Sequence, residues 1–325
     1  MLDELESGQR NRTCYSFGPK SRRQRLTFAI LGKMTALTIE DKDIQSLTGK
    51  IVVLTGGSSG IGLATTRLLL KLGASVVSGD INPPPTEHDR LSFIKTNVTQ
   101  WSDLVALFDH AKEHHGRIDH ALANAGVSGR ADYLEDKFDE SGKLLEPNHQ
   151  TLDVNLRAVI NTAYLGLHHF RHQEPAGGSI VLTASASSIQ RFRIADYTTA
   201  KHGVLGFMRG MVPNLERSSV PLRINALAPG WTETGMVPKG VIEAAGQATQ
   251  SPDVVARSMA LLMADETYQG KLIYSNEGKY WEIEDAMLKT VVDIMGANDD
   301  AVMEKVMKMA AEHGPSGGSL PGSSN

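Results

Sequence analysis

Residues 51–62 read Ile51-Val-Val-Leu-Thr-Gly-Gly-Ser-Ser-Gly-Ile-Gly62, and this stretch decides the fold. Its first four residues are apolar and predict a short buried strand. The apolar positions from Ile61 to Leu72 recur at helical spacing until Gly73 ends the predicted helix. Glycines at such a junction allow a tight turn and let backbone N–H groups approach a diphosphate, which the helix N-terminus also attracts. The spacing G-x-x-x-G-x-G differs from the commoner G-x-G-x-x-G.

The next strand predicted along the chain, residues 74–78, runs into Gly79-Asp80. A carboxylate at this point accepts hydrogen bonds from the ribose hydroxyls of a dinucleotide and repels a 2′-phosphate. Asp80 therefore favours NAD, and NADP is the alternative cofactor. Neither the glycine loop nor Asn82-Pro-Pro-Pro85 offers a basic residue that would offset the repulsion. The competing interpretation is that Asp80 is only a turn residue before the prolines.

A second motif, Tyr197-Thr-Thr-Ala-Lys201, puts a phenol and an ammonium four residues apart on one face of a predicted helix. A phenol has an ordinary pKa of about 10, so it exchanges protons poorly at neutral pH unless a cation stabilises its phenolate. Lys201 can supply that charge. Taken alone, the pair is more typical of a solvated helix face, and the glycine loop upstream is what favours the catalytic interpretation.

Strands and helices alternate along the chain, which predicts an α/β fold with a doubly wound parallel sheet covered by helices on both faces. The further predicted strands are 91–95, 118–123, 179–183, 222–227 and 271–274, with helices that include 101–115, 152–171 and 197–215. In such a sheet, ligands bind beyond the carboxyl ends of the strands. Motifs that follow different strands can therefore converge on one cleft.

These motifs, in this order, resemble those of the short-chain dehydrogenase/reductase family, single-domain Rossmann-type oxidoreductases that use NAD or NADP. The resemblance runs from about Leu47 to about Tyr280. It rests on the glycine loop, on Ala123-Asn-Ala-Gly126, on Asn155, on the Y-x-x-x-K pair and on Pro229-Gly-Trp-Thr-Glu-Thr234. The members it resembles most are prostaglandin-dehydrogenase-like or tailor secondary metabolites.

The resemblance implies that the chain interconverts a secondary alcohol and a ketone. Tyr197 would exchange a proton with the substrate oxygen, and Lys201 would lower the pKa of Tyr197 and bond the nicotinamide ribose. Ser185 would polarise the substrate oxygen, and Asn155 would hold a water that relays protons from Lys201. The residues implied in cofactor binding are Gly56, Ser58, Ser59, Gly60, Ile61, Gly62, Asp80, Asn97, Val98, Asn124, Ala125, Gly126, Tyr197, Lys201, Pro229, Gly230, Thr232 and Thr234.

Two positions depart from the family pattern. The family serine usually lies thirteen residues before the tyrosine, where this chain has Ala184. We assign its role to Ser185, on the assumption that the following loop is one residue shorter, and keep Ser187 and Ser188 as alternatives. Asn97 stands where an aspartate commonly faces the adenine amino group, and its side-chain carbonyl can still accept that hydrogen bond.

Three segments bear on the substrate, which we expect to be a small alcohol or ketone of low polarity. Residues 233–251 contain apolar positions that predict a lid over the substrate, or else an ordinary surface helix. Residues 191–193, Arg-Phe-Arg, could line the mouth of the cleft, although solvated arginines are the simpler reading. The acidic stretch 133–149 could also border the cleft.

Composition excludes several classes of protein. The 325 residues carry a formal net charge of −4, which gives no reason to expect nucleic-acid or acidic-membrane binding. The longest apolar runs are strand-sized, so no membrane-spanning helix is predicted. Cys14 is the only cysteine, which excludes a disulfide and suits a cytoplasmic protein. His168 and His172 lie one helical turn apart, but without a third ligand we predict no metal site.

The domain boundaries follow from the motifs and from the two ends of the chain. We predict a poorly ordered leader over 1–44, the catalytic domain over 45–282, a helical extension over 283–312 and a flexible tail over 313–325. The resemblance implies a homodimer or homotetramer that pairs through the helices carrying Asn155 and Tyr197. Other hypotheses are an NAD-binding sensor or structural protein without turnover, an NADP-dependent ketoreductase and a non-redox tailoring enzyme.

Overall fold

The computed structural model describes residues 34–296 and 300–313, and nine strands of this part form one sheet. The strands are β1 (Thr35–Leu37), β2 (Ile51–Thr55), β3 (Ser75–Asp80), β4 (Leu91–Lys95), β5 (His120–Ala123), β6 (Gly178–Thr183), β7 (Leu222–Pro229), β8 (Leu272–Asn276) and β9 (Lys279–Glu282). Their spatial order is β1-β9-β8-β7-β6-β5-β2-β3-β4.

Helices connect the strands and extend the fold beyond the last of them. They are α1 (Gly60–Lys71), α2 (Trp101–His115), α3 (Gln150–Leu152), α4 (Ala158–Arg171), α5 (Ala195–Glu216), α6 (Lys239–Ala244), α7 (Pro252–Ala264), α8 (Glu284–Met295) and α9 (Asp300–His313). A π-helical turn, Asp153–Arg157, joins α3 to α4, and short 3-10 turns occupy Asp41–Asp43 and Ala186–Ser188.

The seven strands from β2 to β8 pair in parallel, which confirms the predicted α/β class. All five residues of β2 are buried because helices cover both faces of the sheet, and this explains why its sequence is a continuous apolar run. From β2 the chain moves outward through β3 and β4, then returns to add β5 on the other side. The topological switch point therefore lies between β2 and β5, where open α/β sheets bind ligands.

Two hydrophobic cores lie on the two faces of the sheet. On one face α1 and α7 pack together, with Leu69 and Met259 fully buried. On the other face α2, α4 and α5 contribute Phe108, Phe170 and Met208, which are also fully buried. The helices that carry the Tyr197 and Asn155 motifs thus rest on one rigid layer.

The amino-terminal boundary needs a correction. Residues 35–37 were expected to belong to a poorly ordered leader, but they form β1 and pair antiparallel with β9. Ile39 and Ile44 are buried, and Asp41 binds both Lys71 of α1 and Arg257 of α7. The expectation failed because a three-residue strand has too few positions to show a period. The rest of the predicted leader lies outside the described residues, as does the predicted tail after His313.

The carboxyl-terminal extension is helical, as expected, and its first helix is fixed to α5. Arg209 of α5 donates two hydrogen bonds to the buried carboxylate of Glu284, from Nε at 2.6 Å and from Nη2 at 2.9 Å. A two-point contact of this kind is among the stronger ones in proteins. The extension is therefore anchored to the helix that carries Tyr197 and Lys201. In the described part of the chain, no helix is both long and apolar enough to cross a membrane.

Candidate active site

A cavity of about 930 Å³ opens at the carboxyl ends of the parallel strands, between the loops that follow β2 to β8. It brings together every residue predicted for cofactor binding or chemistry except Ser58 and Asn155. These two lie behind its walls. In the structure, the motifs therefore converge on one cleft, as predicted.

The glycine loop forms the floor of the cavity below α1. Gly56 has a φ of +73°, and a Cβ there would lie 2.8 Å from the Cα of Ala125. A Cβ on Gly62 would overlap the carbonyl oxygen of Gly56. Only glycines allow the loop after β2 to pack this closely against the loop after β5. The cradle leaves the N-terminus of α1 open toward the cavity, where a diphosphate would be attracted.

Asn124 joins three strands at the switch point. Its side-chain amide donates to the carbonyl oxygens of Thr55 at 3.2 Å and of Gly56 at 3.0 Å. Its side-chain oxygen accepts from the Thr183 hydroxyl at 3.4 Å. The residue predicted to contact a cofactor thus also holds the ends of β2, β5 and β6 in register.

Asp80, at the end of β3, lines the cavity and is tied to the glycine loop. Oδ2 accepts a hydrogen bond from the backbone N–H of Ser58 at 3.0 Å, and Oδ1 accepts one from Asn82 at 3.2 Å. Each carboxylate oxygen keeps a free lone pair. The carboxylate can therefore accept further hydrogen bonds from a ligand in the cavity. The hydrogen bond from the Ser58 N–H to Asp80 also explains why Ser58 does not line the cavity. Ser58 supports the site through its main chain rather than its side chain.

Asn97 lies at the cavity edge, as expected, but its side chain is engaged. Oδ1 accepts hydrogen bonds from the backbone N–H of Thr99 at 3.1 Å and from the Thr99 hydroxyl at 2.8 Å. A carbonyl oxygen has two lone pairs, so neither is left for an adenine amino group in this geometry. The predicted contact with adenine would require Thr99 to give up one of its two hydrogen bonds to Asn97 Oδ1. Val98, its neighbour, is buried in the cavity wall.

Tyr197 and Ser185 meet in the cavity. Ser185 follows β6 and caps the 3-10 turn, since its Oγ accepts a hydrogen bond from the N–H of Ser187 at 3.2 Å. The Ser185 side chain also lies near enough to the Tyr197 phenol to lower its pKa. Ser188 instead donates to the backbone oxygen of Lys201 at 2.7 Å. Of the three candidate serines, Ser185 is thus the one whose side chain affects the pKa of Tyr197.

The pKa of Tyr197 moves opposite to the expected direction. Burial raises it above 10.0, and the Ser185 side chain lowers it only in part. The expectation that Lys201 lowers this pKa is therefore not met here. Lys201 Nζ lies 5.7 Å from the centroid of the Tyr197 ring and donates its hydrogen bond at 2.7 Å to the carbonyl of Thr183. The ammonium thus faces the ring and a backbone oxygen.

Lys201 itself is strongly perturbed. The side chain is 3 % exposed, and burial lowers the pKa of Lys201 to about 8. A buried lysine with such a pKa can lose and regain a proton near neutral pH.

Asn155 is fully buried in the π-helical turn and fastens the loop after β5. Its Oδ1 accepts from the N–H of Val127, and its Nδ2 donates to the carbonyl of Val127, both at 2.8 Å. A Cβ added to Gly126 would lie 3.3 Å from Asn155 Oδ1 and 3.9 Å from Lys201 Nζ. The bare glycine therefore leaves a small space that borders both polar atoms.

The segment after β7 forms the opposite wall, and Gln250 fastens it. Gln250 Nε2 donates to the hydroxyl of Thr232 and to the carbonyl of Ser275, both at 3.1 Å. Thr234 and Val237 close a tight turn through backbone hydrogen bonds. The predicted lid, 233–251, contains α6 within it. It faces the cavity through the residues Thr234, Gly235, Met236, Val237 and Gln247.

The two other segments expected near the substrate behave differently. Phe192 lines the cavity, whereas Arg191 and Arg193 are exposed and do not. Residues 133–149 do not line the cavity at all, although Ser128 and Gln150 on either side of this stretch do. Its backbone turns outward after the loop that follows β5.

Sequence reasoning missed three residues that support the site, namely Thr183, Asp196 and Gln250. Asp196 is 1 % exposed and accepts hydrogen bonds from the N–H groups of Arg130, Ala131 and Tyr197. An acidic residue in the first turn of a helix is a recognisable signal, since it faces unpaired N–H groups. Thr183 holds Lys201 through its backbone oxygen, which leaves no trace in the sequence.

The histidine pair shows no metal site. The rings of His168 and His172 lie 4.5 Å apart. Within residues 34–296 and 300–313, no three histidine, cysteine or acidic side chains come together as metal ligands would.

Comparison with known proteins assigns the chain to a family. The family model for short chain dehydrogenases matches residues 50–243. The chain belongs to the short-chain dehydrogenase/reductase family. It is thus an oxidoreductase of Rossmann type, as the motifs implied.

Individual relatives of this enzyme support the assignment. Short-chain dehydrogenase/reductase ascJ of Acremonium egyptiacum is 49 % identical over 285 residues, which cover 85 % of this chain and 96 % of the relative. The 15-hydroxyprostaglandin dehydrogenase (NAD+) of Rattus norvegicus is 31 % identical over 203 residues, which cover 58 % of this chain and 70 % of the relative. A 3-ketoacyl-(acyl-carrier-protein) reductase from Brucella melitensis, solved with NADH, superimposes with a TM-score of 0.61. It is 22 % identical, covers 70 % of this chain and 97 % of its own, and shows the fold alone.

Proposed function

We propose that this enzyme interconverts a secondary alcohol and a ketone on a small, moderately apolar molecule, with Tyr197 as the proton donor and acceptor. The observation that carries the proposal is that Ser185, Tyr197 and Lys201 line one cavity, with Lys201 Nζ 5.7 Å from the centroid of the Tyr197 ring. A binding module would have no use for such an arrangement, because it holds a buried cation at a cost in stability.

The residues present fit a dinucleotide. The glycine cradle excludes any Cβ at Gly56 and Gly62 and leaves the end of α1 open, which suits a diphosphate. Asp80 presents free lone pairs beside it, which suits ribose hydroxyls. The fold neighbour was solved with NADH, and the rat relative carries NAD+ in its name. Asn124, Gly126 and Lys201 would hold the nicotinamide half, which supplies the hydride acceptor or donor when it is bound.

NAD is the cofactor that the charges favour. Among the described residues that line the cavity, Lys201 is the single cation, and Thr183 of β6 holds it. Three strand spacings separate β6 from β3, where Asp80 lies, which amounts to about 14 Å. No cation among the described residues that line the cavity is therefore at hand to balance a 2′-phosphate beside Asp80. A repulsion of about 1 kcal/mol disfavours NADP several-fold even when it is screened.

Tyr197 and Ser185 would carry the chemistry at the substrate oxygen. Burial keeps the Tyr197 phenol protonated at neutral pH, so it can donate a proton to a carbonyl oxygen during reduction. In the oxidation direction the same phenol oxygen takes up the proton of the alcohol as its own proton leaves toward solvent. Ser185 would hydrogen-bond the substrate oxygen and hold it beside the phenol.

Lys201 and Asn155 would return the proton to solvent. With its pKa lowered to about 8, Lys201 can pass a proton on near neutral pH. The space above Gly126 borders Lys201 Nζ and Asn155 Oδ1, and Oδ1 keeps one lone pair beside its bond to Val127. We infer that a water in this space connects the two side chains.

The test of this function is the variant Tyr197→Phe, which deletes one hydroxyl and keeps the ring. Turnover of secondary alcohols and ketones, followed by nicotinamide absorbance, should fall by at least about 10³-fold. NAD affinity from calorimetry should change little. Tyr268→Phe removes a phenol hydroxyl outside the cavity and serves as the control. Substantial activity in Tyr197→Phe would show that another group exchanges the proton.

Cofactor choice has its own measurement. Calorimetric titration should show tighter binding of NAD than of NADP, most clearly at low ionic strength. Asp80→Ser should narrow this difference in affinity, because it weakens the binding of NAD and removes the repulsion of NADP. Asp89 is exposed in the loop before β4, and Asp89→Asn should leave the difference unchanged. Tighter NADP binding by the wild-type chain would mean that Asp80 turns away from the ribose.

The same assays decide among the remaining hypotheses. NAD binding without turnover of any alcohol or ketone would favour a sensor or structural protein. We also propose a homodimer or homotetramer, in which the exposed ring of Tyr164 on α4 and the neighbouring Trp101 would be covered. Light scattering after size exclusion measures the assembly. Cysteine usage favours the cytoplasm, which a fluorescent fusion would test.

A further inference from the structure

Two aromatic rings meet in the wall of the cavity. Phe192 comes from the loop before α5, and Trp231 comes from the loop after β7. Their ring centroids lie 5.8 Å apart at an angle of 58°. Both side chains are partly exposed and line the cavity. They form one continuous aromatic wall across the gap between the two loops.

The backbone fixes each ring close to the chemistry. The Trp231 carbonyl accepts a hydrogen bond from the backbone N–H of Gln250 at 2.8 Å. The Phe192 carbonyl accepts one from the hydroxyl of Thr198 at 3.3 Å, and Thr198 follows Tyr197 directly. A wall built on anchored main chain contacts a ligand without first having to become ordered.

The loop that carries Phe192 also keeps positive charge out of the cavity. Gln190, Phe192 and Ile194 line the cavity, while Arg191 and Arg193 between them are exposed to solvent. The sequence alternates so that apolar and amide groups face inward and both guanidinium groups face outward. An acidic substrate would need one of these cations, because arginine and lysine are what bind carboxylates and phosphates.

The charges that do line the cavity are already committed. Lys201 donates to the carbonyl of Thr183, and Asp80 is tied to the glycine loop. Asp153 pairs with Arg157 at 3.1 Å in the next turn of its helix. No cation among the described lining residues therefore stands next to the aromatic wall.

We propose that Phe192 and Trp231 determine specificity by packing against an uncharged, ring-containing alcohol or ketone and excluding one that bears a carboxylate or phosphate. Aromatic faces pack well against rings and bury more of a compact ring than of a flexible chain, which loses rotamer freedom on binding. This proposal rests on the alcohol–ketone function proposed above and names the substrate class of that site.

The experiment compares two matched pairs of ketones with NADH as the reductant. Cyclooctanone and 2-octanone have the same number of carbons and differ in the ring, while methyl 4-oxocyclohexanecarboxylate and its free acid differ in charge. For the wild type, kcat/KM should be about tenfold higher for the cyclic ketone and about tenfold higher for the ester. Equal values within both pairs would overturn the proposal.

Variants of the two aromatic residues, with one control, locate the effect. Phe192→Leu and Trp231→Leu should each erase most of the preference for the cyclic ketone. Trp231→Phe should keep this preference. None of the three variants should change the affinity for NADH. Phe192→Arg should raise activity on the acid relative to the ester. Arg193→Leu, in the same loop but outside the cavity, is the control and should alter neither ratio. Ring preference that survives in the Phe192→Leu, Trp231→Leu double variant would contradict the assignment.

A separate binding measurement distinguishes failure of this inference from failure of the proposed function. If the wild type binds NADH but reduces none of the four ketones, the alcohol–ketone function fails. Calorimetry of cyclooctanone and 2-octanone with the NADH-loaded Tyr197→Phe variant then tests the wall independently of turnover. Tighter binding of the cyclic ketone that disappears on Trp231→Leu supports the inference, and equal binding overturns it.

Discussion

Replacing Lys201 by methionine should separate what this side chain does for the chemistry from what its burial does to stability. The pKa of Lys201 falls from 10.5 to about 8 because the ammonium is buried. The unfolded chain therefore keeps its proton to higher pH than the folded chain does. Between these two values the unfolded state binds more protons, so this lysine makes stability rise with pH.

The magnitude follows from the two pKa values. The gap corresponds to roughly 3 kcal/mol of lost stability at neutral pH, of which about 1 kcal/mol remains at about pH 9.5. Methionine has a similar length and no charge, so it abolishes this pH dependence. It also leaves the buried carbonyl of Thr183 without its donor, which costs about 1–3 kcal/mol at every pH. We therefore expect the unfolding free energy of the wild type, relative to Lys201→Met, to rise by about 2 kcal/mol between about pH 7 and pH 9.5.

The assay is urea unfolding followed by circular dichroism at several pH values in that interval, without added nucleotide. Lys289→Met is the control, because Lys289 is half exposed and pairs with Asp293 one turn away. Its difference from the wild type should stay within about 0.5 kcal/mol across the interval. Turnover should be lost in Lys201→Met and kept in Lys289→Met. A flat difference for Lys201→Met would refute the reasoning, since it would mean that folding does not change the proton affinity of this lysine.

Three further perturbations test the supports of the site. Gly126→Ala should fill the space beside the Lys201 ammonium and lower kcat by about tenfold or more, with a changed pH–rate profile; an unaltered profile would remove the water from the relay. Asp196→Asn should lower the melting temperature at neutral pH, because hydrogen bonds from backbone N–H groups outweigh burial and hold the pKa of Asp196 below 3.8. This loss should shrink as the pH falls through and below 3.8, where the wild-type carboxylate also becomes protonated, and a constant difference would contradict the assignment. Arg209→Ala should cost about 3 kcal/mol in urea unfolding by leaving the carboxylate of Glu284 buried and unpaired, and a cost under about 1 kcal/mol would show that Glu284 finds another partner.

The parallel strands could be predicted from the sequence because each carries apolar residues at its centre. Residues 91–95, for example, were expected as a strand and form β4 with the same limits. The antiparallel additions β1 and β9 could not be predicted. Thr35 pairs with Glu282, so the information that makes this segment a strand lies nearly the whole domain away. Short segments also carry too little periodicity for their burial to be read.

For the candidate site, residue types were predictable and the engagement of individual atoms was not. The motif residues converge because each follows the carboxyl end of a parallel strand, and sequence order contains that information. Whether the Asn97 oxygen is free depends on the rotamer of Thr99, and the direction of the Tyr197 pKa depends on how deeply the phenol is buried. Both are properties of packing. A pattern of residue types does not show whether a phenol lies beside a charge that lowers its pKa or is buried so that its pKa rises.

Ser58 and Asn155 show why residues outside the cavity can control what it binds. Ser58 holds the Asp80 carboxylate through a backbone N–H, so a substitution acts there only if it moves the loop. Asn155 holds both polar groups of Val127 through its side chain, and any shorter or apolar residue leaves two buried backbone groups unpaired. The loop after β5 would then lose its position relative to α4, and Gly126 would move with it. The geometry around Lys201 is thus set from behind the wall, by a side chain that the cavity itself does not expose.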